Sequence, residues 1–111
     1  MEQINIDDFL KVEMKVGKIL EASTLEESNK LLLLKVSFGN EDIRTVVSGI
    51  AKYYTPEDII NKKFIFVTNL EPRPILQYES QAMIMAVHNE DKTIVSALIP
   101  DQDIPEGSPV S

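Results

Sequence analysis

Residues 31–59 read LLLLKVSFGNEDIRTVVSGIAKYYTPEDI. Leu32, Leu34, Val36 and Phe38 alternate along the opening run, the period of a strand with one buried face. Gly39–Asn40 breaks the pattern with residues that tight turns favour, and Ile43–Val47 resumes it as a second strand. Ser48–Gly49 ends that run. Thr55–Pro56 then marks a helix start: Thr55 as cap, Pro56 at the first helical position, Asp58 three residues after the cap. The helix is short, ending near Asn61. Two paired strands followed by a brief helix form the middle of the fold.

Upstream, Asn5 can cap a helical opening at Ile6–Leu10, with Asp7 and Asp8 suited to its first turn. From Val12 to about Ala22 a strand is expected, since Val12, Met14 and Val16 alternate with Glu13 and Lys15. The phase blurs at Gly17–Lys18, which predicts a bulge or sharp coil there. Ser23–Asn29 is polar and reads as a loop. Downstream, Phe64–Leu70 reads as a fourth strand, Gln81–His88 as a fifth and Thr93–Ile99 as a sixth. The tail, Pro100–Ser111, carries three of the six prolines and should run extended along the surface.

Three strands, a helical connection and two or three further strands fit an all-β fold. The expected form is the OB-fold, a five-stranded Greek-key barrel with a short helix between strands three and four, here with extra C-terminal strand structure. A β-sandwich shows similar strands. In an OB-fold the usual binding surface is the face of strands two and three, flanked here by the loops Ser23–Lys30 and Glu71–Ser80. Leu31, Leu33, Ile65, Val67 and Ile84 make several strands apolar on both faces. That surplus packs under the helix and tail or against a second copy of the chain.

At 111 residues, 43% hydrophobic and 26% charged, the chain suits one folded domain, residues 1–111. No apolar run approaches the ~20 residues needed to cross a bilayer, so no membrane role is expected. Cysteine is absent, which removes disulfides, thiolate metal sites and cysteine nucleophiles. The acidic start MEQINIDDFL lacks an apolar signal core, which makes the cytoplasm the expected compartment. Lys and Arg number 11 against 18 Asp and Glu, for a net charge of −7 spread over both halves. Nonspecific attraction to a polyanion is weak for such a chain, so nucleic-acid binding needs a local constellation.

Catalytic groupings are scarce. His88 has no second His or Cys nearby in sequence. The pairs Asp7–Asp8, Glu26–Glu27, Glu41–Asp42 and Glu57–Asp58 are adjacent residues in loops or helix starts, which suit capping and solubility better than acid–base work. Ser48–Gly49 lacks the preceding glycine of a nucleophile elbow, and there is no phosphate loop. No catalytic residue, metal site or cofactor is expected. Three basic residues fall on the OB binding surface: Lys30 closing the first loop, Arg44 on strand three and Arg73 in the four–five loop. Each can neutralise a phosphate, and arginine can grip two oxygens. Asn69 and Ser80 can hydrogen-bond a base edge or a ribose hydroxyl.

Taken together, Val16-Gly17-Lys18-Ile19, Asn29-Lys30-Leu31-Leu32, Arg44 through Ile50, Tyr53-Tyr54-Thr55-Pro56-Glu57, Asn69-Leu70-Glu71-Pro72-Arg73 and Glu79-Ser80-Gln81-Ala82-Met83 resemble one family. It is the tRNA-binding domain found as a stand-alone tRNA-binding protein and as the C-terminal domain of many bacterial methionyl-tRNA synthetases. The resemblance covers nearly the whole chain in order. It implies an OB-fold, a homodimer, recognition of tRNA shape without catalysis, and partnership with tRNA and, in the appended form, the synthetase catalytic domain. It assigns contacts to Lys30, Arg44, Asn69, Arg73, Ser80 and Met83. The family commonly has Lys where this chain has Glu71, a basic residue at Pro74, and Gly at Asn61, Gln77 and Ala82. A related group of export-associated chaperones shares the fold and size, and makes protein binding the alternative role.

Overall fold

The computed structural model describes residues 1–111. The chain opens with α1 (Ile6–Phe9), where the Asn5 side chain accepts the Asp8 amide at 2.8 Å, the cap that the sequence predicts. The longest element is β1 (Met14–Leu25). Its first half pairs antiparallel with β4 (Lys63–Val67) and its second half with β2 (Ser28–Ser37), so that Lys18 faces Lys63 on one side and Ser37 on the other. A single strand that changes partners must bend, and the register slips between Ile19 and Glu21.

The bulge therefore sits at Leu20 and not at Gly17. Gly17 serves a different need. A Cβ there would stand 2.6 Å from Val36 Cγ1, 2.7 Å from Phe38 Cε1 and 2.8 Å from Phe66 Cδ1. The missing side chain lets β1 lie against the centre of the core, where Phe38 and Phe66 meet edge to face at 5.4 Å. Ile19, Leu32, Leu34, Val36, Val46 and Phe66 are fully buried around them. The alternation read from Leu32 to Phe38 is the inner face of the barrel.

After β2 come β3 (Ile43–Ser48) and α2 (Pro56–Ile59), whose Thr55 amide donates to the Asp58 carboxylate at 2.9 Å. Ile59 carries the helix into the core. Beyond β4 the chain forms a hairpin of β5 (Arg73–Ile75) and β6 (Tyr78–Ser80), then β7 (Met83–Ile84), and a second hairpin of β8 (Ala86–His88) and β9 (Val95–Ala97). The main sheet runs β3-β2-β1-β4-β7, an all-β, OB-like barrel. The expected fifth strand, Gln81–His88, is divided: β7 pairs with β4, while β8 turns away to β9.

Both loops expected beside the binding face are strands. β1 extends to Leu25 and β2 begins at Ser28, leaving Glu26–Glu27 as a turn. Ser23 and Thr24 are exposed polar residues, so the ribbon they form has no apolar alternation to betray it. The tail is extended, as expected, and lies beside β1: the Val16 amide donates to Ser108 O at 3.0 Å and the Val110 amide to Met14 O at 2.9 Å. No helix is long and apolar enough to cross a membrane.

Candidate nucleic-acid interface

The barrel closes between β3 and the chain joining β6 to β7, and side chains make much of that seam. The Gln81 amide donates to Thr45 O at 2.9 Å, while the Thr45 amide donates to Gln81 Oε1 at 2.8 Å. Gln81 thus offers its side-chain carbonyl where a strand would offer a backbone one. One residue earlier, Ser80 is buried, and its hydroxyl accepts the Val47 amide at 3.0 Å and donates to Ala82 O at 3.2 Å.

Arg44 crosses the same seam. Its guanidinium grips the Asp42 carboxylate with two bonds of 3.0 Å and donates to Thr68 O at 2.7 Å and Gln81 O at 3.3 Å. The Phe38 ring lies 5.1 Å below it. The side chain is only 21% exposed. Asn69 is engaged too: its carbonyl accepts the Glu13 amide at 2.8 Å and its NH2 donates to Lys11 O at 2.7 Å, which ties the N-terminal segment to the end of β4. Beside it, the Thr68 hydroxyl on Glu13 holds that carboxyl below the usual carboxylate range, with Lys15 and Arg44 adding to the effect. Arg44, Asn69 and Ser80 are therefore bonded within the domain.

Lys30, Arg73 and Met83 are exposed. Arg73 and Met83 line one groove of about 340 Å³, with Leu31, Val47, Ile75 and Ile84 supplying apolar walls. Glu71 lies with Arg73 along an adjoining recess. Lys30 stands beside Leu31, and its carbonyl accepts the Ala51 amide at 3.1 Å. The hairpin that carries Arg73 is fastened at its tip, where Gln77 Nε2 donates to Glu27 Oε2 at 2.9 Å; this bond lowers the Glu27 pKa. Gln81 and Gln77 were not legible as site-forming residues, because each acts across the fold on a partner far away in sequence. Asp42 lies only two residues from the Arg44 it holds, and sequence reading took it for a solubilising charge.

The remaining candidates have ordinary roles. His88 is exposed with its ring Nδ1 2.8 Å from Asn89 O, and Asp58 and Asp42 serve the helix cap and Arg44.

Residues 14–109 match the family model described as "Putative tRNA binding domain". Over its whole length the chain is 47% identical to a methionine–tRNA ligase of Caldanaerobacter subterraneus, of which it spans 17%. It is likewise 47% identical over 99% of its length to a Methanococcus aeolicus ligase, spanning 16% of that protein. Among solved structures it resembles a MetRS-related protein of Pyrococcus horikoshii, with TM-score 0.93 and 40% identity over the whole of both chains. It also resembles the CsaA chaperone protein of Picrophilus torridus, at TM-score 0.87 and 30% identity over 98% of this chain and all of that one. The chain spans about a sixth of the ligases it matches. A match from β1 through to the tail, on an OB-like barrel, makes this chain a member of the tRNA-binding domain family.

Proposed function

We propose that this chain is a non-catalytic tRNA-binding module that acts as a homodimer, either free or appended to a methionyl-tRNA synthetase. The observation that carries the reading is Arg73: an exposed guanidinium on a fastened hairpin, over an apolar groove, in a chain of this family. Lys30, Arg73 and Met83 meet the RNA. Arg44, Asn69 and Ser80 contribute by holding the frame on which the contacts stand.

One protomer offers few positive groups, and a second copy doubles them. The apolar face for such pairing is the N-terminal segment: α1 buries none of its residues, and Ile6 and Leu10 are each 66% exposed. Leu31 and Leu33, in contrast, are half-buried within the chain itself.

Titration of bulk tRNA at several salt concentrations tests the proposal. Two cations per protomer, four per dimer, give a log–log salt slope of roughly −3 to −4. Absence of tRNA binding at low salt sinks the reading, and a species of monomer mass alone in sedimentation sinks the dimer. The second reading is an apolar peptide as ligand, favoured by the groove's walls and by the CsaA likeness. Peptide binding through apolar contact does not weaken with added salt.

A further inference from the structure

Gly49 has no explanation within the fold. Its φ lies outside the left-handed region, where only Gly39 and Gly107 stand among the glycines. A Cβ built on it meets nothing within 4 Å, unlike one at Gly17. Neither conformation nor packing asks for glycine here, yet the residue lines the groove beside Arg73. A glycine of this kind marks a place where something outside the chain approaches the backbone.

The groups around it are unspent. Gly49 makes no backbone hydrogen bond within the domain through either its N–H or its C=O. The hydroxyl of Ser48, a buried residue, and the exposed Arg73 guanidinium also have no partner within the chain, and both border the same groove. A donor, an acceptor, a hydroxyl and a cation converge on about 340 Å³ of apolar space. Sites with apolar walls and a few placed polar groups bind small planar ligands, and drug-sized ones occupy ~300–1,000 Å³.

We infer that this groove takes a single unstacked nucleotide of the bound RNA, read on its base edge by Gly49 N–H, Gly49 C=O and the Ser48 hydroxyl, with its phosphate on Arg73. The inference rests on the tRNA-binding reading and specifies which part of the RNA the site accepts. Charge favours one nucleotide over a helix backbone. Among the groove's residues Arg73 is the one cation, and a duplex tracked along its phosphates needs several on a chain of net charge −7. An added peptide strand is disfavoured by the edge of β3 itself. Thr45 and Val47 are already bonded to Gln81 and Ser80, which leaves Gly49 alone open, too short a stretch for strand addition.

Gly49→Leu tests this directly, because the fold tolerates a side chain that the ligand does not. Bulk tRNA, a mixed-sequence single-stranded RNA hexamer, a blunt RNA duplex and an extended apolar peptide serve as probes. With thermal unfolding unchanged, Gly49→Leu should bind tRNA about tenfold more weakly, the scale of one lost base contact. The salt slope should stay the same, since the substitution displaces the base and leaves Arg73 in place to hold the phosphate. The hexamer should displace tRNA from the parent protein and the duplex should not. Ser48→Ala should give a smaller loss in the same direction. Parent-like tRNA binding by Gly49→Leu overturns the inference while leaving the tRNA reading intact, as does displacement by the duplex. Displacement by the peptide but not by the hexamer assigns the groove to protein ligands and overturns it too. Failure of the parent to bind tRNA removes the underlying reading itself.

Discussion

The seam and the groove lie side by side and use the same kinds of residue to opposite ends. Along the seam, Arg44, Ser80 and Gln81 are bonded to the backbone or to Asp42, and Asn69 is bonded likewise between the N-terminal segment and the end of β4. Along the groove, exposed Arg73 and Gly49 and the hydroxyl of buried Ser48 have no partner within the chain. Residue type does not separate the two regions, since each has its arginine and its serine. What separates them is whether a backbone partner lies within reach, and only the folded chain decides that. A donor already held at 2.7 Å must break that bond before it can serve a phosphate, whereas Arg73 loses only water.

The largest effect that tests this contrast is expected at Arg44. Arg44→Ala removes the clasp over the seam and leaves Asp42 without its partner. A charge-assisted hydrogen bond contributes roughly 1.5–3 kcal/mol, and partial exposure discounts the total, so a loss of about 2 kcal/mol in denaturant unfolding is expected. The salt slope of tRNA binding should not change. Arg73→Ala should do the reverse: unaltered unfolding, and a slope flattened by about two units across the proposed dimer. If Arg44→Ala flattens the slope while the protein stays as stable as its parent, the two regions are not distinct.

Gln81→Ala comes next in size. It deletes one acceptor and leaves the Thr45 amide without its partner, a cost of about 1 kcal/mol. The local signature matters more than the total. Hydrogen exchange at the Thr45 amide should speed up strongly, whereas exchange at the core pairs between β1 and β4 should follow only the global change. Uniform acceleration would show that Gln81 does not act at the seam.

Much of the frame was legible in the sequence because it is written in local patterns. The buried alternation of Leu32, Leu34, Val36 and Phe38, the Asn5 cap and the Thr55–Pro56 helix start each depend on near neighbours. The bulge was misplaced for a physical reason. A glycine in a strand signals either a kink or a close approach, and Gly17 is the second while Leu20 takes the kink. The ribbons at Ser23–Leu25 and Arg73–Ser80 were hidden because their residues are largely exposed. For the candidate site, the sequence showed which residues carry suitable groups and not which of those groups the fold already engages. Six residues were expected to face RNA, and three of them are bonded within the domain to partners that lie 24 to 58 positions away.

Glu71→Lys sharpens the groove's side of the comparison with a smaller effect. An exposed loop charge usually changes stability by less than about 0.5 kcal/mol, so unfolding should hardly move. The carboxylate now sits along the recess that Arg73 shares, where it opposes phosphate. Its replacement should tighten tRNA binding several-fold at low salt and steepen the salt dependence, with the advantage shrinking as salt rises. Equal affinities throughout the salt series would mean that RNA does not reach Glu71.

The smallest effect concerns the fastening that holds the two regions in register. Gln77 donates to the Glu27 carboxylate across the tips of two hairpins, and that bond sets the Glu27 pKa below the usual glutamate value. A group whose folded pKa is lowered contributes its stability at pH above the unfolded value, about 4.3 for glutamate, and loses it as the pH falls through the folded one. Neutral pH therefore keeps the fastening closed, and acid below about pH 4 opens it as the charged acceptor becomes a weaker neutral one. Other carboxylates with lowered pKa values, Asp58 and Asp103 among them, titrate in the same window and weaken the whole fold. The informative quantity is thus a difference between regions. Amide exchange in β5 and β6 should rise on acidification ahead of exchange in β1 and β2. In Glu27→Gln the neutral side chain already has the weaker acceptor, so β5 and β6 should exchange faster at neutral pH and the acid-induced lead should vanish. Should Glu27→Gln keep the parent's pH profile in β5 and β6, the hairpin that carries Arg73 is held by its packing on β3, and the Glu27 bond is incidental to it.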